Sequence, residues 1–178
     1  MSHPQPPNRV KLVIGLFMEN KDLFSTVSSD LAEFFGPVDL ISRWYPFDFT
    51  TYYEPEMGAP LFRRIMAFKA LIEQKQLSDI KVTTNSLEQR HSEEDKRKIN
   101  IDPGYMAHER FVLATGKNFA HRIYIGKGMY ADLTLIFQKG DFVTLPWTYP
   151  DYAHEHVLSY LRQVRKKYVV DFKERCNL

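Results

Sequence analysis

The stretch Leu61–Leu71, LFRRIMAFKAL, decides the fold. Its apolar positions fit a helix face and a strand face alike. Read as a strand, it joins two β-α-β units in the simplest order the chain allows. Upstream, Val10–Met18 (VKLVIGLFM) is apolar and β-rich, suited to a buried strand. In the following NKDLFSTVSSDLAEFFGP, residues Leu23, Phe24, Val27, Leu31, Phe34 and Phe35 fall on one helical stripe. Asn20 is placed to cap that helix and Gly36-Pro37 to end it. Val38–Tyr45 reads as the next strand. Residues 46–60, PFDFTTYYEPEMGAP, form a long polar-aromatic loop, and loops of that length within a compact domain are often functional.

Downstream, SDIKVTTNSLEQRHS predicts a helix with Ile80, Thr84, Leu87 and His91 on one face. SEEDKRK reads as a solvated charged loop. Lys98–Ile101 is a strand, Asp102-Pro103-Gly104 a β-turn with proline at its second position and glycine at its third, and Arg110–Thr115 a strand. HRIYI, YADLTLIF and FVTL follow as a meander. A closing helix runs from about Tyr152 to Lys173, with Asp151 as N-cap and Val157, Leu161, Val164 and Tyr168 as its buried stripe. The order implies an α+β fold: a ferredoxin-like β-α-β-β-α-β core extended by an antiparallel β-meander and a C-terminal helix. Residues 1–9 read as a disordered tail and residues 10–178 as one domain.

Composition bounds the function. The chain has 178 residues, 44% of them hydrophobic, enough for a real core. A net charge of +2 argues against a dedicated nucleic-acid scavenger. A single cysteine, Cys176, excludes an intrachain disulfide and fits a reducing cytosol. The longest apolar run, LVIGLFM, is far short of the roughly 20 residues a membrane helix needs, and MSHPQPPNR lacks the apolar region of a signal peptide. The expectation is a cytoplasmic protein without a membrane partner; the oligomeric state stays open.

Register adds detail. A three-residue loop Gly126-Lys127-Gly128 pairs Arg122 with Asp132, Ile123 with Ala131 and Tyr124 with Tyr130, keeping like faces together. The same logic at Gln138-Lys139-Gly140 pairs Leu135 with Val143 and Thr134 with Thr144. One sheet face then carries Ile123, Ile125, Leu133, Leu135, Val143 and Leu145. The other carries Arg122, Tyr124, Tyr130, Asp132, Thr134 and Thr144, close to Trp147, Tyr149, Asp151 and Tyr152. A merely solvated face would gain only about 0–1 kcal/mol from its cross-strand ion pair. Tyrosines with one arginine and one aspartate are instead the residues of shaped polar sites.

Further polar groups collect nearby. Asn100 and Asp102 offer a carboxamide and a carboxylate from a strand end, with Tyr105 beside them. ATGKNFAHR places Lys117, His121 and Arg122 around a glycine turn able to receive a phosphate or carboxylate. Glu54 and Glu56 in YYEPEMG are a candidate pair for a divalent ion. His154-Glu155-His156 is not a helical zinc pair, since residues two apart point about 200° apart on a helix. The chain has no Walker motif, no Asn-Lys-x-Asp, no Gly-x-Ser-x-Gly and no G-x-G-x-x-G.

NIDPGY, LATGKNFAHRIYIGKGMYADLTL, TLPWTYPDY and YYEPEMG, with the helix from Ile80-Lys81 to Glu88, resemble the signatures of the domain of unknown function 4416 family, from about Val10 to Tyr152 and weakly beyond. The resemblance implies a small prokaryotic protein without an assigned reaction. Members are sometimes labelled GTP-binding, a label this chain's motifs do not support. Asp132 stands where the family usually has Glu, which keeps the charge. No cofactor or catalytic residue carries over.

The expected function is binding of a small anionic or nucleotide-like ligand, or action on it, in a polar-aromatic cleft. Lys117, His121 and Arg122 would meet the anion. Tyr105, Tyr124, Trp147 and Tyr149 would wall the site with Asn100 and Asp151. His121 with Asp132 or Asp102 would do any acid–base work. The alternative is a non-catalytic RNA-binding or protein-interaction module, stacking bases on sheet aromatics and using Arg162–Lys167 for phosphates.

Overall fold

The stretch LFRRIMAFKAL does form a strand, Phe62–Ile72, which pairs along its length with Val10–Met18. The computed structural model describes residue 1, residues 3–94 and residues 96–176, the last two by backbone alone. Asp95 of the charged stretch and the Cys176 side chain therefore lie outside the described residues. In chain order the elements are β1 (Val10–Met18), α1 (Leu23–Phe35), β2 (Val38–Ile41), β3 (Tyr45–Pro46), α2 (Glu54–Met57), β4 (Phe62–Ile72), α3 (Leu77–Arg90), β5 (Ser92–Glu93), β6 (Lys96–Arg97), β7 (Ile99–Met106), β8 (Arg110–Thr115), β9 (Arg122–Gly126), β10 (Met129–Gln138), β11 (Asp141–Thr144), α4 (Pro150–Ala153) and α5 (Glu155–Cys176).

The fold is α+β. Seven strands lie in the order β11-β10-β8-β7-β1-β4-β2, with β3 added on β4 and β9 on β10, and every pair is antiparallel. Strand alternation sorts the apolar residues of β1 between two cores. Leu12, Ile14 and Leu16 pack with Val27 and Leu31 of α1 and Ile80 and Leu87 of α3. Val13 faces the opposite side, where Ile65, Phe111 and Leu135 meet Tyr152 of α4 and Leu161, Val164 and Tyr168 of α5. With both faces covered, all nine residues of β1 are buried, as the apolar run Leu12–Met18 requires. No helix among the described residues is long and apolar enough to cross a membrane.

Several expectations are corrected. Asp102-Pro103-Gly104 is not a turn; it lies inside β7, paired with Gly15, Ile14 and Val13 of β1. Val38–Tyr45 is two short strands, and SEEDKRK contains the β5–β6 hairpin. The closing helix is interrupted at His154, whose backbone is extended (ψ 137°). Tyr149 stands at the cap of α4, and Asp151 is buried inside it. The β9–β10 register is as expected, Arg122 opposite Asp132 and Tyr124 opposite Tyr130. The β10–β11 register is one residue off: Ile136 pairs with Val143 and Leu135 with Thr144. Lys139 and Gly140 both take positive φ (52° and 90°), giving a two-residue loop in place of three. The β8–β10 ladder also shifts between Leu133 and Leu135. That bulge sends Leu133 to the cluster holding Val112 and Leu135 to the cluster with Phe111, so the two do not share a face.

Candidate functional site

The site begins where the sheet comes apart. β7 and β8 pair only at Gly104–Met106 against Leu113–Phe111. Residues 99–103 of β7 pair with β1 alone, and Ala114 and Thr115 of β8 with β10 alone. Three local features explain the split. Pro103 has no N–H to offer a continuing ladder. Gly104 sits so close to β8 that a Cβ would lie 2.4 Å from the Val112 carbonyl oxygen. Past that crossing, the backbone of Ile101 is satisfied by α3: its N–H donates to Glu88 Oε1 at 2.6 Å, and its carbonyl accepts from Lys81 Nζ at 2.8 Å. Two side chains from one helix thus stand in for the missing strand.

The split opens a cleft of about 920 Å³. Asn100, Phe17 and Arg63 form a cross-strand row on its floor, directly paired through β7, β1 and β4 and so on one face. Asp102 lies in the next row, where Tyr152 of α4 covers Gly15; a Cβ on Gly15 would meet Tyr152 Oη at 2.7 Å. Arg122 and Asp132 come from β9 and β10, Lys117 from the turn after β8, and Phe49, Tyr52 and Tyr53 from the loop before α2.

Charges run along the floor in alternation. Arg63 pairs with Asp151 and, at 3.3 Å, with Asp102. Lys81 lies 4.0 Å from Asp102 and 3.9 Å from Glu88. Arg97 reaches Glu88 at 3.4 Å and grips Glu56 with two bonds of 2.6 and 2.7 Å. The Glu56 hydrogen bond, reinforced by Glu88, outweighs burial and raises the Arg97 pKa. Burial pushes the Glu88 carboxyl up despite the nearby Lys81 and the Ile101 N–H. Burial, helped by Asp102, raises the Tyr53 phenol to about 12. Burial likewise raises Tyr149 and Tyr152. All three phenols therefore stay protonated near neutrality, able to donate hydrogen bonds and unfit to act as bases.

Three polar atoms in this cleft have no hydrogen-bond partner among the described residues: Arg63 Nε, Asn100 Nδ2 and Tyr152 Oη. Arg63 is 3% exposed, Asn100 4% and Tyr152 1%. Arg97 donates to Asn100 Oδ1 at 3.0 Å, which fixes the amide so that its NH2 faces the unpartnered side.

Of the residues singled out from sequence, Asn100, Asp102, Lys117, Arg122, Asp132, Tyr149 and Asp151 line the cleft. His121 stands behind the wall. Its Nε2 lies 3.1 Å from Asp132 Oδ2, and its ring stacks on Trp147 at 4.7 Å. Trp147 donates to the Leu133 carbonyl at 2.8 Å. Arg122 shares Asp132 and also bonds the Lys117 carbonyl and Tyr149 Oη, so most of its donors are engaged. Tyr105 alternates with Asn100 and Asp102 along β7 and packs on the other face, with Leu77 and Val112. Tyr124 is 61% exposed on β9. Glu54 is exposed while Glu56 is held by Arg97, and among the described residues no three His, Cys, Asp or Glu side chains group as a metal ion would need. Sequence reading missed Arg63, Lys81, Glu88, Arg97, Tyr53 and, as a functional group, Tyr152. The signals were an arginine pair inside the apolar β4 and two charges on the buried stripe of α3.

No curated protein and no solved structure matches the chain. A family model does match, over residues 8–168, nearly the whole length and every element that builds the cleft up to α4. The chain belongs to the family described as Domain of unknown function (DUF4416).

Proposed function

We propose that the cleft binds a small ligand that offers hydrogen-bond acceptors and a flat ring, of the anionic or nucleotide-like kind. The observation that carries this reading is that three residues lining one cavity, Arg63, Asn100 and Tyr152, each hold a buried polar atom (Nε, Nδ2 and Oη) with no hydrogen-bond partner among the described residues. Leaving a buried donor unpaired costs about 1–3 kcal/mol, and acceptors on a ligand would recover it. The volume, about 920 Å³, lies within the range of small-molecule sites. Phe17 and Phe47 stack at 4.3 Å beneath Tyr53, and Tyr52 stands edge-on to Tyr53 at 5.0 Å, giving flat apolar walls. If the ligand is transformed, acid–base work falls to Asp102. Its side chain is 29% exposed, against 7% for Glu88 and 1% for Asp132.

A melting-temperature screen of the full chain against nucleotides, sugar phosphates and carboxylates tests the reading. At least one class should raise the melting temperature of the wild type, and Asn100→Leu should fold but lose the response. A screen with no stabilising compound, or a response that survives Asn100→Leu unchanged, would overturn it. The RNA-module alternative draws less support. The central strands are covered on both faces, Arg162 is held by Asp141 and Glu155, and Lys167 by Asp171 and Asp39.

A further inference from the structure

We propose that the cleft seats its ligand ring-inward: the floor reads a neutral heterocycle edge with a carbonyl beside an N–H, as in uracil, and Lys117 at the rim holds an anionic substituent. The inference rests on the ligand-binding reading above and names the ligand class. Asn100 and Asp102 stand two residues apart on one strand face, a donor next to an acceptor. The free Asn100 NH2 matches a carbonyl oxygen. Asp102 meets its cations only at 3.3 and 4.0 Å, so it retains lone pairs for an N–H. Arg63 Nε and Tyr152 Oη supply further donors to ring oxygens.

Charge decides which end takes the anion. Around Arg63 the floor holds two carboxylates, Asp102 and Asp151, against one guanidinium. Lys81 also lies 4.0 Å from Asp102 but is held by Glu88 at 3.9 Å, so no cation there is left over for an anion, whereas a neutral carbonyl needs only a donor. Farther along, Lys81 and Arg97 are likewise each matched to carboxylates, and Arg122 is matched to Asp132. Lys117 differs. It is exposed, makes no ion pair among the described residues, and rests on Tyr52, 3.5 Å from its Oη and 4.7 Å above its ring. It is the cleft cation left over for a phosphate or carboxylate, beside an aromatic wall for the ring.

Calorimetric titration with uridine 5′-monophosphate, cytidine 5′-monophosphate, uridine and ribose 5-phosphate separates the two ends. The two nucleotides differ at the ring edge, where cytosine replaces the N–H and one carbonyl by a bare nitrogen and an amino group. The uracil compound should bind tighter than the cytosine compound by on the order of tenfold, the equivalent of one good hydrogen bond. Uridine should bind more weakly than its monophosphate in the wild type, and Lys117→Ala should close that gap. Ribose 5-phosphate should bind weakest. Equal affinity for the two nucleotides overturns the floor assignment, and equal affinity for uridine and its monophosphate overturns the rim assignment. Absence of binding by all four overturns the inference while leaving the broader screen to judge the cleft. Undiminished binding by a folded Asn100→Leu variant removes both readings.

Discussion

At the scale of single residues, two glycines set the site through space and not through turn conformation. Gly104 lets β7 cross β8 so closely that a Cβ would sit 2.4 Å from the Val112 carbonyl oxygen and 2.9 Å from Leu113 Cδ2. The backbone oxygen cannot move without opening the β7–β8 ladder, which is only three residue pairs long. Gly104→Ala should therefore destabilise by about 1–3 kcal/mol, a fall of roughly 2–4 °C per kcal/mol in a chain of this size, measurable by thermal melting. Gly15 is confined by a different neighbour, the free end of Tyr152, 2.7 Å from the position of a Cβ. A phenol can tilt where a backbone cannot. Gly15→Ala should cost less stability than Gly104→Ala yet blunt the ligand response, because it moves one of the three unpartnered groups. If both variants melt alike and respond alike, the crowding at these positions is not what shapes the cleft.

At the scale of elements, α3 does the work of a strand. Lys81 and Glu88 are seven residues apart, two helical turns, so they fall on one side of the helix and meet the same peptide unit of β7. Nothing in the local sequence announces this. Asp-Pro-Gly has the composition of a turn and would be one in isolation, but the register with β1 holds it extended. What overrides the turn preference is tertiary: partners for Ile101 from α3 and a proline facing the gap. Both hairpin loops hold a lysine in the left-handed conformation, Lys127 and Lys139. The first keeps the expected register because a bulge between Met129 and Tyr130 absorbs one residue, and the second, which has no such bulge, ends one residue off. The polar segments at Asn100–Asp102, Lys117, Arg122–Asp132 and Tyr149–Asp151 were legible as clusters of unusual residues. Arg63, Lys81 and Glu88 were not, because each sits in a segment whose apolar periodicity reads as core. The pair also makes a pH prediction. Burial raises the Glu88 pKa in the fold. Its favourable contribution is complete below the ordinary glutamate value, about 4.3, and declines as pH rises through the raised one. The melting temperature of wild type relative to Glu88→Gln should drop between about pH 4 and neutrality. A constant difference across that window would mean that Glu88 is not titrating against its buried position.

At the scale of the whole molecule, α4 walls the cleft and α5 packs in the same core beside it, where one buried lysine ties three distant parts of the chain together. Lys11 of β1 is fully buried, with Nζ 2.5 Å from Asp39 of β2 and 2.7 Å from Asp171 near the end of α5. Lys167 pairs with Asp171 as well. The arrangement sets two helices against one strand: Tyr152 of α4 lies over Gly15, and Asp171 of α5 bonds Lys11. Removing one member of a buried ion pair leaves the other charge unsolvated, so Lys11→Met should cost about 3–5 kcal/mol. The same loss in Lys11→Met combined with Asp171→Leu should be smaller than the sum of the two single effects, because the double variant buries no orphan carboxylate from α5. Acid should expose the same lock. Burial alone would raise the Asp171 pKa, but hydrogen bonds from Lys11 and Lys167 outweigh it and leave the carboxyl below the usual range. A depressed acid contributes fully above its unfolded pKa, about 3.9, and loses that contribution as pH falls through the folded value. Wild type should then lose stability faster than Asp171→Asn below about pH 4. Parallel acid titrations of the two proteins would show that the lysine bridge does not hold α5 in place, and the docking of α5 would have to be credited to its apolar contacts alone.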